Sequence, residues 1–527
     1  MSMNSPAPRA DRPEIWGGVE CSHVRLAYGD NDQLEHTGHD HRFEDLDRLA
    51  ELGLTAVRYP VLWERHAGSP IDWSWADARL HRLRELGIRP IVGLVHHGCG
   101  PLPDGFLDPD FGPGLARFAR AVAERYPWVD AYTPINEPLT TARFSGLYGI
   151  WHPFLRDAAS FAHIFLRQCQ AIRAAMRAIR AINPSAQLVQ TEDLGKTHST
   201  PSVAYQARFE NERRWLTWDL LGGFVRPGTW MHEHLVGDGV DPADLASFVD
   251  DPCPPDILGM NHYVTSERLL DDRLDRYPVD YHGGNGRHAY ADVPAVRARL
   301  EGLVGPEHLL DEIWQRYQRP IAITEVQLAC TRDEQLRWLA EFWTASCSAR
   351  ARGVDVRAVT PWALFGACDW DSLLRLPRGH YECGAFDMRQ SPPRPTALAH
   401  AISDLAQTGT FHHPAAEGPG WWRRPCRFTF DPVSAPDTGP GTAVPHDDPA
   451  TEAALALVGG PEDTIALFQA ACRLRGLSAI CAPDETHLPE LTGTASPWAL
   501  VPGHAVVSDP AHVHHLLDAL IDRPTGT

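Results

Sequence analysis

From residue 14 onward, short apolar and β-branched runs alternate with longer stretches whose apolar positions recur every three to four residues. The runs predict eight strands: EIWGGVE (14–20), TAVRYP (55–60), PIVGLVH (90–96), DAYTPIN (130–136), QLVQTE (187–192), DILGMNH (256–262), PIAITE (320–325) and VRAVTPW (356–362). Their alternation with longer amphipathic stretches is the signature of βα units and a parallel sheet. Between them, HRFEDLDRLAELG (41–53) predicts a helix with Phe43, Leu46, Leu49 and Leu52 on one face and Gly53 closing it. ADARLHRLRELG and DEQLRWLAEFWTASCSARARG follow the same pattern.

Eight strands alternating with helices are most economically closed into a (β/α)8, or TIM, barrel with long insertions after some strands. The competing doubly wound sheet carries a glycine-rich phosphate loop after its first strand, and GGVECSHV is not one. The barrel is expected to span residues 1–410. Residues 411–449 are rich in Pro and Gly (FHHPAAEGPGWWRRP, SAPDTGPGTAVP) and suggest a linker or an extended wrap over the barrel surface. Residues 450–527 suggest a small α/β module: ALALVGG, a helical TIALFQAACRLRGL and SAICAP form one βαβ unit, with PWALVPG and HVHHLLDALID as a further strand and helix. That topology resembles the opening of a Rossmann-type sheet. Its turn reads GGPEDT, without the glycine spacing that lets a pyrophosphate approach, so the module is expected to be a degenerate, structural piece with no nucleotide cofactor.

Composition narrows the function. The chain has 527 residues, with 48 Lys and Arg against 68 Asp and Glu, and the net charge of −20 would repel a nucleic-acid backbone. The amino terminus lacks a secretory pattern, and no run approaches the roughly 18 apolar residues of a membrane span, so a cytoplasmic protein with a small-molecule partner is expected. The 11 cysteines are odd in number and scattered without a CxxC pair, which suits thiols in a reducing compartment. HTGHDH (36–41), MHEHL (231–235) and HVHH (512–515) lack the spacing of HExxH or finger sites, so no metal is expected.

In such a barrel the reacting groups stand at the carboxyl ends of the strands. There the sequence places Arg58 (strand 2), His96–His97 (strand 3), Asn136–Glu137 (strand 4), Asn261–His262–Tyr263 (strand 6), Thr324–Glu325 (strand 7) and Trp362 (strand 8). Two carboxyls facing one another across a barrel mouth suit cleavage of a glycosidic bond. One protonates the leaving oxygen and the other attacks the anomeric carbon, if they lie about 5–5.5 Å apart. Solvent-facing glutamates, a strand-tying ion pair at Arg58 and a core histidine at His96 are the structural alternatives.

The motifs resemble the family 1 glycoside hydrolases, the β-glucosidase family, over roughly residues 14–390. YTPINEP (132–138) is similar to the family's TFNEP, PIAITE (320–325) to ITENG, and DILGMNHYV (256–264) to GINYY. RPIVGLVHH (89–97), AVRYPVLW (56–63) and GIWHPF (149–154) also have counterparts there. The resemblance implies Glu137 as general acid/base, Glu325 as nucleophile, Asn136 on the sugar 2-hydroxyl, Arg58 and Tyr263 holding the nucleophile, and His96 on a sugar hydroxyl. Trp362 and Trp370 are candidates for a stacking floor under the pyranose. The departures concern the glycone. The glutamine expected after strand 1 is Val24, with Glu20 as a substitute, and WALFGACDW puts the shorter Asp369 where the family has a sugar-gripping glutamate. VQL replaces Asn–Gly after the nucleophile. The expectation is a retaining β-glycosidase or transglycosylase of altered glycone preference. The alternative is a non-catalytic carbohydrate-binding or scaffold protein descended from one. Arg375, Arg378 and Tyr381, in LLRLPRGHY, are the groups that would grip a phosphorylated sugar, with a solvated basic loop as the weightier reading.

Overall fold

A computed structural model describes residues 12–437 and three strands beyond them. Eight parallel strands close into a barrel: β1 (Glu14–Gly18), β2 (Ala56–Pro60), β3 (Arg89–Gly93), β4 (Ala131–Thr133), β5 (Gln187–Asp193), β6 (Ile257–His262), β7 (Ile321–Val326) and β8 (Val356–Pro361). Each pairs with its neighbour in sequence, and β8 closes on β1 through Glu14 opposite Ala358 and Ile15 opposite Val359. Every strand predicted from the apolar runs falls on one of these. The reason is visible in the core, where one buried cluster takes a residue from each strand in turn: Trp16, Ala56, Ile91, Ala131, Val189, Ile257, Ala322 and Ala358. Trp16 is large and four of the others are alanines, so a layer of unequal side chains fills the interior.

Helices Ser74–Glu85, Phe111–Arg125, Ala158–Arg180 and Arg332–Ala351 lie among the connections. The first predicted helix is shorter than its pattern, spanning Asp45–Glu51. Leu46, Leu49 and Leu52 are buried as expected, but Phe43 precedes the helix and is 41% exposed. Insertions after β5 and β6 build a four-stranded sheet from Thr197–Ser199, Arg268–Asp271, His282–Gly284 and Ala289–Pro294. A hairpin, His23–Leu26 with Gly29–Asp32, follows β1. Its Val24 is buried in an apolar cluster with Leu26, Trp151 and Leu374.

The chain divides into two units, residues 1–225 with 238–437 and residues 226–237 with 438–527. The Pro/Gly-rich stretch up to Asp437 therefore groups with the barrel. Trp422 is fully buried there, 4.7 Å edge-on from Trp338, and Arg299 Nε donates to Ala435 O at 2.7 Å. In the second unit Ala454–Val458 pairs in parallel with Ser478–Ala482 on one side and Trp498–Leu500 on the other. The two helices expected in that module, and the HVHH run, lie outside the described residues. Among the described residues, no helix is long and apolar enough to cross a membrane.

Candidate active site

The carboxyl ends of β2, β3, β4, β6, β7 and β8 bring their polar side chains into one buried network. Beyond β4 the chain continues extended, so Asn136 N donates to Val95 O at 3.0 Å and pairs in parallel with His96. It then turns sharply. Glu137 has φ 45° and ψ 64°, in the left-handed region that non-glycine residues enter at a cost, and Pro138 opens the helix Pro138–Ala142 with its fixed φ and missing N–H. On β7 the register with both neighbouring strands shifts between Ile323 and the end of the strand, an irregularity that re-aims side chains at Glu325.

Glu325 is held by two donors. Arg58 Nη1 donates to its Oε1 at 2.7 Å, and the Tyr263 hydroxyl donates to its Oε2. The same guanidinium sends Nη2 to Asn136 Oδ1 at 2.5 Å and lies 4.5 Å from the centroid of Trp362. Because an arginine only donates, this fixes the orientation of the Asn136 amide. Its Oδ1 also accepts from Thr191 Oγ1 at 2.7 Å, and its Nδ2 stands 3.2 Å from His96 Nε2 and 3.3 Å from His97 Nε2. The His96 ring stacks on Trp362 at 5.3 Å.

Glu137 is held differently. Asn261 Nδ2 donates to its Oε1 at 2.6 Å, while Thr324 Oγ1 donates to Asn261 Oδ1 at 2.6 Å, so an amide and a hydroxyl link the acid of β4 to β7 beside Glu325. His97 Nε2 lies 3.8 Å from Glu137 Oε2, but burial, helped by the charge of Arg58, pushes His97 down to about 3 and keeps it neutral. Glu137 and Glu325 are 4% and 2% exposed. Burial raises both. Glu137 goes well above the carboxylate range, with the charge of Glu325 as the second cause; in Glu325 the charge of Arg58 and the Tyr263 hydrogen bond oppose burial and leave it at about 7. One carboxyl is thus kept as the acid while the other is the readier to ionise. That division suits general acid and nucleophile.

The remaining sequence candidates line the network or stand beside it. Glu20 is buried, accepting from Ser22 N at 2.9 Å and from Trp362 Nε1 at 3.0 Å. Trp370 is half-buried, its ring 5.7 Å from His97 and 6.1 Å from Trp151. Asp369, with φ 60°, directs its two oxygens to backbone N–H groups of its own loop, Gly379 at 3.0 Å and His380 at 2.7 Å. Arg378 pairs with Asp371, Arg375 Nε donates to Ser372 O at 3.1 Å, and the Tyr381 hydroxyl lies 3.2 Å from both Phe365 O and Phe386 O. Asn261 and His97 were weighed at strand ends but given no role from the sequence, and Thr191 was not named at all. Asn261 and His97 sit in the strand-end clusters already quoted, so their placement was the available signal.

No protein-family model matches the chain. It is 24% identical to a 6-phospho-β-glucosidase of Dickeya chrysanthemi over 61% of this chain and 74% of that protein. It is 23% identical to a bifunctional β-D-glucosidase/β-D-fucosidase of Bifidobacterium breve over 64% and 84% of the two chains. Among solved structures, the family 1 β-glucosidase from Thermotoga maritima superposes with a TM-score of 0.59 at 15% identity, over 77% of this chain and 99% of that one. The fold is thus the (β/α)8 barrel that this β-glucosidase also has, and in sequence the chain is similar, at 23–24% identity, to the glucosidases named above.

Proposed function

We propose that this glycoside hydrolase cleaves, or transfers, a β-linked glycoside with retention of configuration, using Glu137 as acid/base and Glu325 as nucleophile. The observation that carries the reading is the unequal treatment of the two carboxyls. Glu325 has a hydrogen-bond donor on each oxygen, one of them cationic, whereas Glu137 receives the neutral amide of Asn261 and the repulsion of Glu325. In the first step Glu325 attacks the anomeric carbon while Glu137 gives its proton to the leaving oxygen. In the second, Glu137 takes a proton from water, or from an acceptor hydroxyl, which opens the glycosyl ester. Asn136, already oriented by Arg58, presents its amide toward the 2-hydroxyl. His96, Trp362, Trp370 and Glu20 line the glycone, and Asp369 shapes the loop beside it. Catalysis needs no metal or nucleotide, and the protein acts in the cytoplasm.

The glycone differs from that of a plain glucosidase. Val24 stands where the family has a glutamine and is buried among Leu26, Trp151 and Leu374, so this wall offers no hydroxyl partner. A 2-deoxy-2-fluoro aryl β-glycoside tests the mechanism. Covalent labelling of Glu325, found by peptide mass spectrometry, is expected. A panel of such glycosides giving neither label nor turnover overturns the reading in favour of a non-catalytic carbohydrate-binding or scaffold protein.

A further inference from the structure

Glu137 occupies the residue before a helix, where a short acceptor side chain such as Asp, Asn or Ser ordinarily caps the first free backbone N–H groups. Here it does not cap the helix. Pro138 has no N–H to offer, and the N–H of Leu139 donates instead to Glu192 Oε1 at 2.8 Å. The same oxygen accepts the hydroxyl of Thr217, from the helix Leu216–Leu221. Glu192 comes from the end of β5, is 1% exposed, and its Oε2 meets no hydrogen-bond partner among the described residues.

We propose that Glu192 is a positioning residue for the acid/base: by capping Leu139 in place of Glu137, it leaves the Glu137 carboxyl turned toward Asn261 and the reacting centre. The inference rests on the reading of Glu137 given above. Burial pushes Glu192 up to about 8, so it is mostly protonated at pH 7, and what charge it carries raises Glu137 further and helps keep the acid protonated. The groups that act on Glu192 are Thr217, the Leu139 N–H, Arg143 and Asp193; those that act on Glu137 are Glu325, Asp193, Glu192 and Asn261, with His97 beside it. The neutral acid and a glutamine present the same accepting oxygen to Leu139 and Thr217.

Three variants test this: E192Q, E192A and E192D. In E192Q the accepting oxygen remains, and kcat and KM are expected to stay within about twofold of the parent at pH 6.5. In E192A the Leu139 N–H loses its acceptor. A crystal structure is then expected to show the Glu137 carboxyl swung back onto it, with kcat down on the order of 100-fold and KM little changed. If the alanine variant does not fold, E192D, one methylene too short to reach Leu139, replaces it with the same expectations. The proposal is overturned if Glu137 stays on Asn261 in the alanine or aspartate variant, or if E192Q loses as much kcat as they do. The crystallographic arm needs no turnover. A parent protein that hydrolyses nothing therefore strikes the reading of the site, while the position of the Glu137 carboxyl in the variant crystals still decides the role of Glu192.

Discussion

Arg58 and Glu325 form a buried ion pair at 2.7 Å, and the second terminal nitrogen of that guanidinium holds Asn136. One cation therefore favours the ionised form of Glu325 and fixes the orientation of the amide next to Glu137.

Replacing Arg58 by Lys removes the planar fork while keeping a charge. We expect kcat/KM for an aryl glycoside to fall by about 100-fold. Arg58→Met also removes the charge. Because Arg58 lowers the Glu325 value against the effect of burial, its loss sends that value above about 7, and the acid limb of kcat/KM moves to higher pH. An acid limb unmoved in the methionine variant contradicts this.

The parent enzyme should itself show an alkaline-shifted profile. The nucleophile must be ionised, so activity rises with pH through about 7; the acid must be protonated, and Glu137, raised well above the carboxylate range, sets the falling limb. A pH series of kcat/KM with an aryl glycoside measures both limbs. A rising limb at about pH 4–5, where ordinary carboxyls titrate, counts against the assignment.

Trp362 depends on Gly18. A Cβ built on Gly18 would stand 2.1 Å from the Trp362 ring, so Gly18→Ala must push the indole off His96 and off Glu20. If Trp362 is the floor under the sugar proposed above, the expected result is a folded protein whose KM rises at least about tenfold, since the displaced indole loses contact in the ground state and the transition state alike. Near-parental kinetics combined with a near-parental Tm is the contrary result.

Away from the mouth, Lys196 Nζ meets Glu312 Oε1 at 2.8 Å and Asp437 Oδ1 at 2.7 Å, and Arg214 Nη2 meets Glu312 Oε2 at 2.6 Å. Burial would raise Glu312, but His308, Arg214 and Lys196 outweigh it and hold the carboxyl below its usual range. Glu312→Gln leaves buried cations short of a partner and should cost about 3 kcal/mol in denaturant unfolding at pH 7. A depressed folded-state value means this contribution is complete above the unfolded value of about 4.3 and is lost as pH falls below it, so the deficit should shrink in acid.

The barrel was legible because short runs rich in apolar residues alternate with amphipathic stretches at βα spacing, even though QLVQTE is mostly polar and its Gln190, Thr191 and Glu192 are nonetheless buried. Glu137 and Glu325 were legible from their place at strand ends. What the sequence left obscure are relations between strands. Nothing in DILGMNHYV says that Asn261 reaches back to Glu137, because that contact spans β6 to β4. Glu192 had the same signal as Glu137 and Glu325, a glutamate ending a predicted strand, but its neighbour in sequence supplied no motif. Asp369 reads as a shortened sugar ligand, yet a left-handed turn gathers the Gly379 and His380 amides around it, a loop geometry that apolar patterning does not encode. Phe43 fits the helical period but precedes the first turn, and so meets solvent.

Glu137 and Glu325 are only 4% and 2% exposed, and the Arg58–Glu325 pair lies out of reach of mobile counterions. Dissolved salt therefore screens that attraction far less than it would a pair at the surface, and the pH at which Glu325 titrates should barely move as ionic strength is raised.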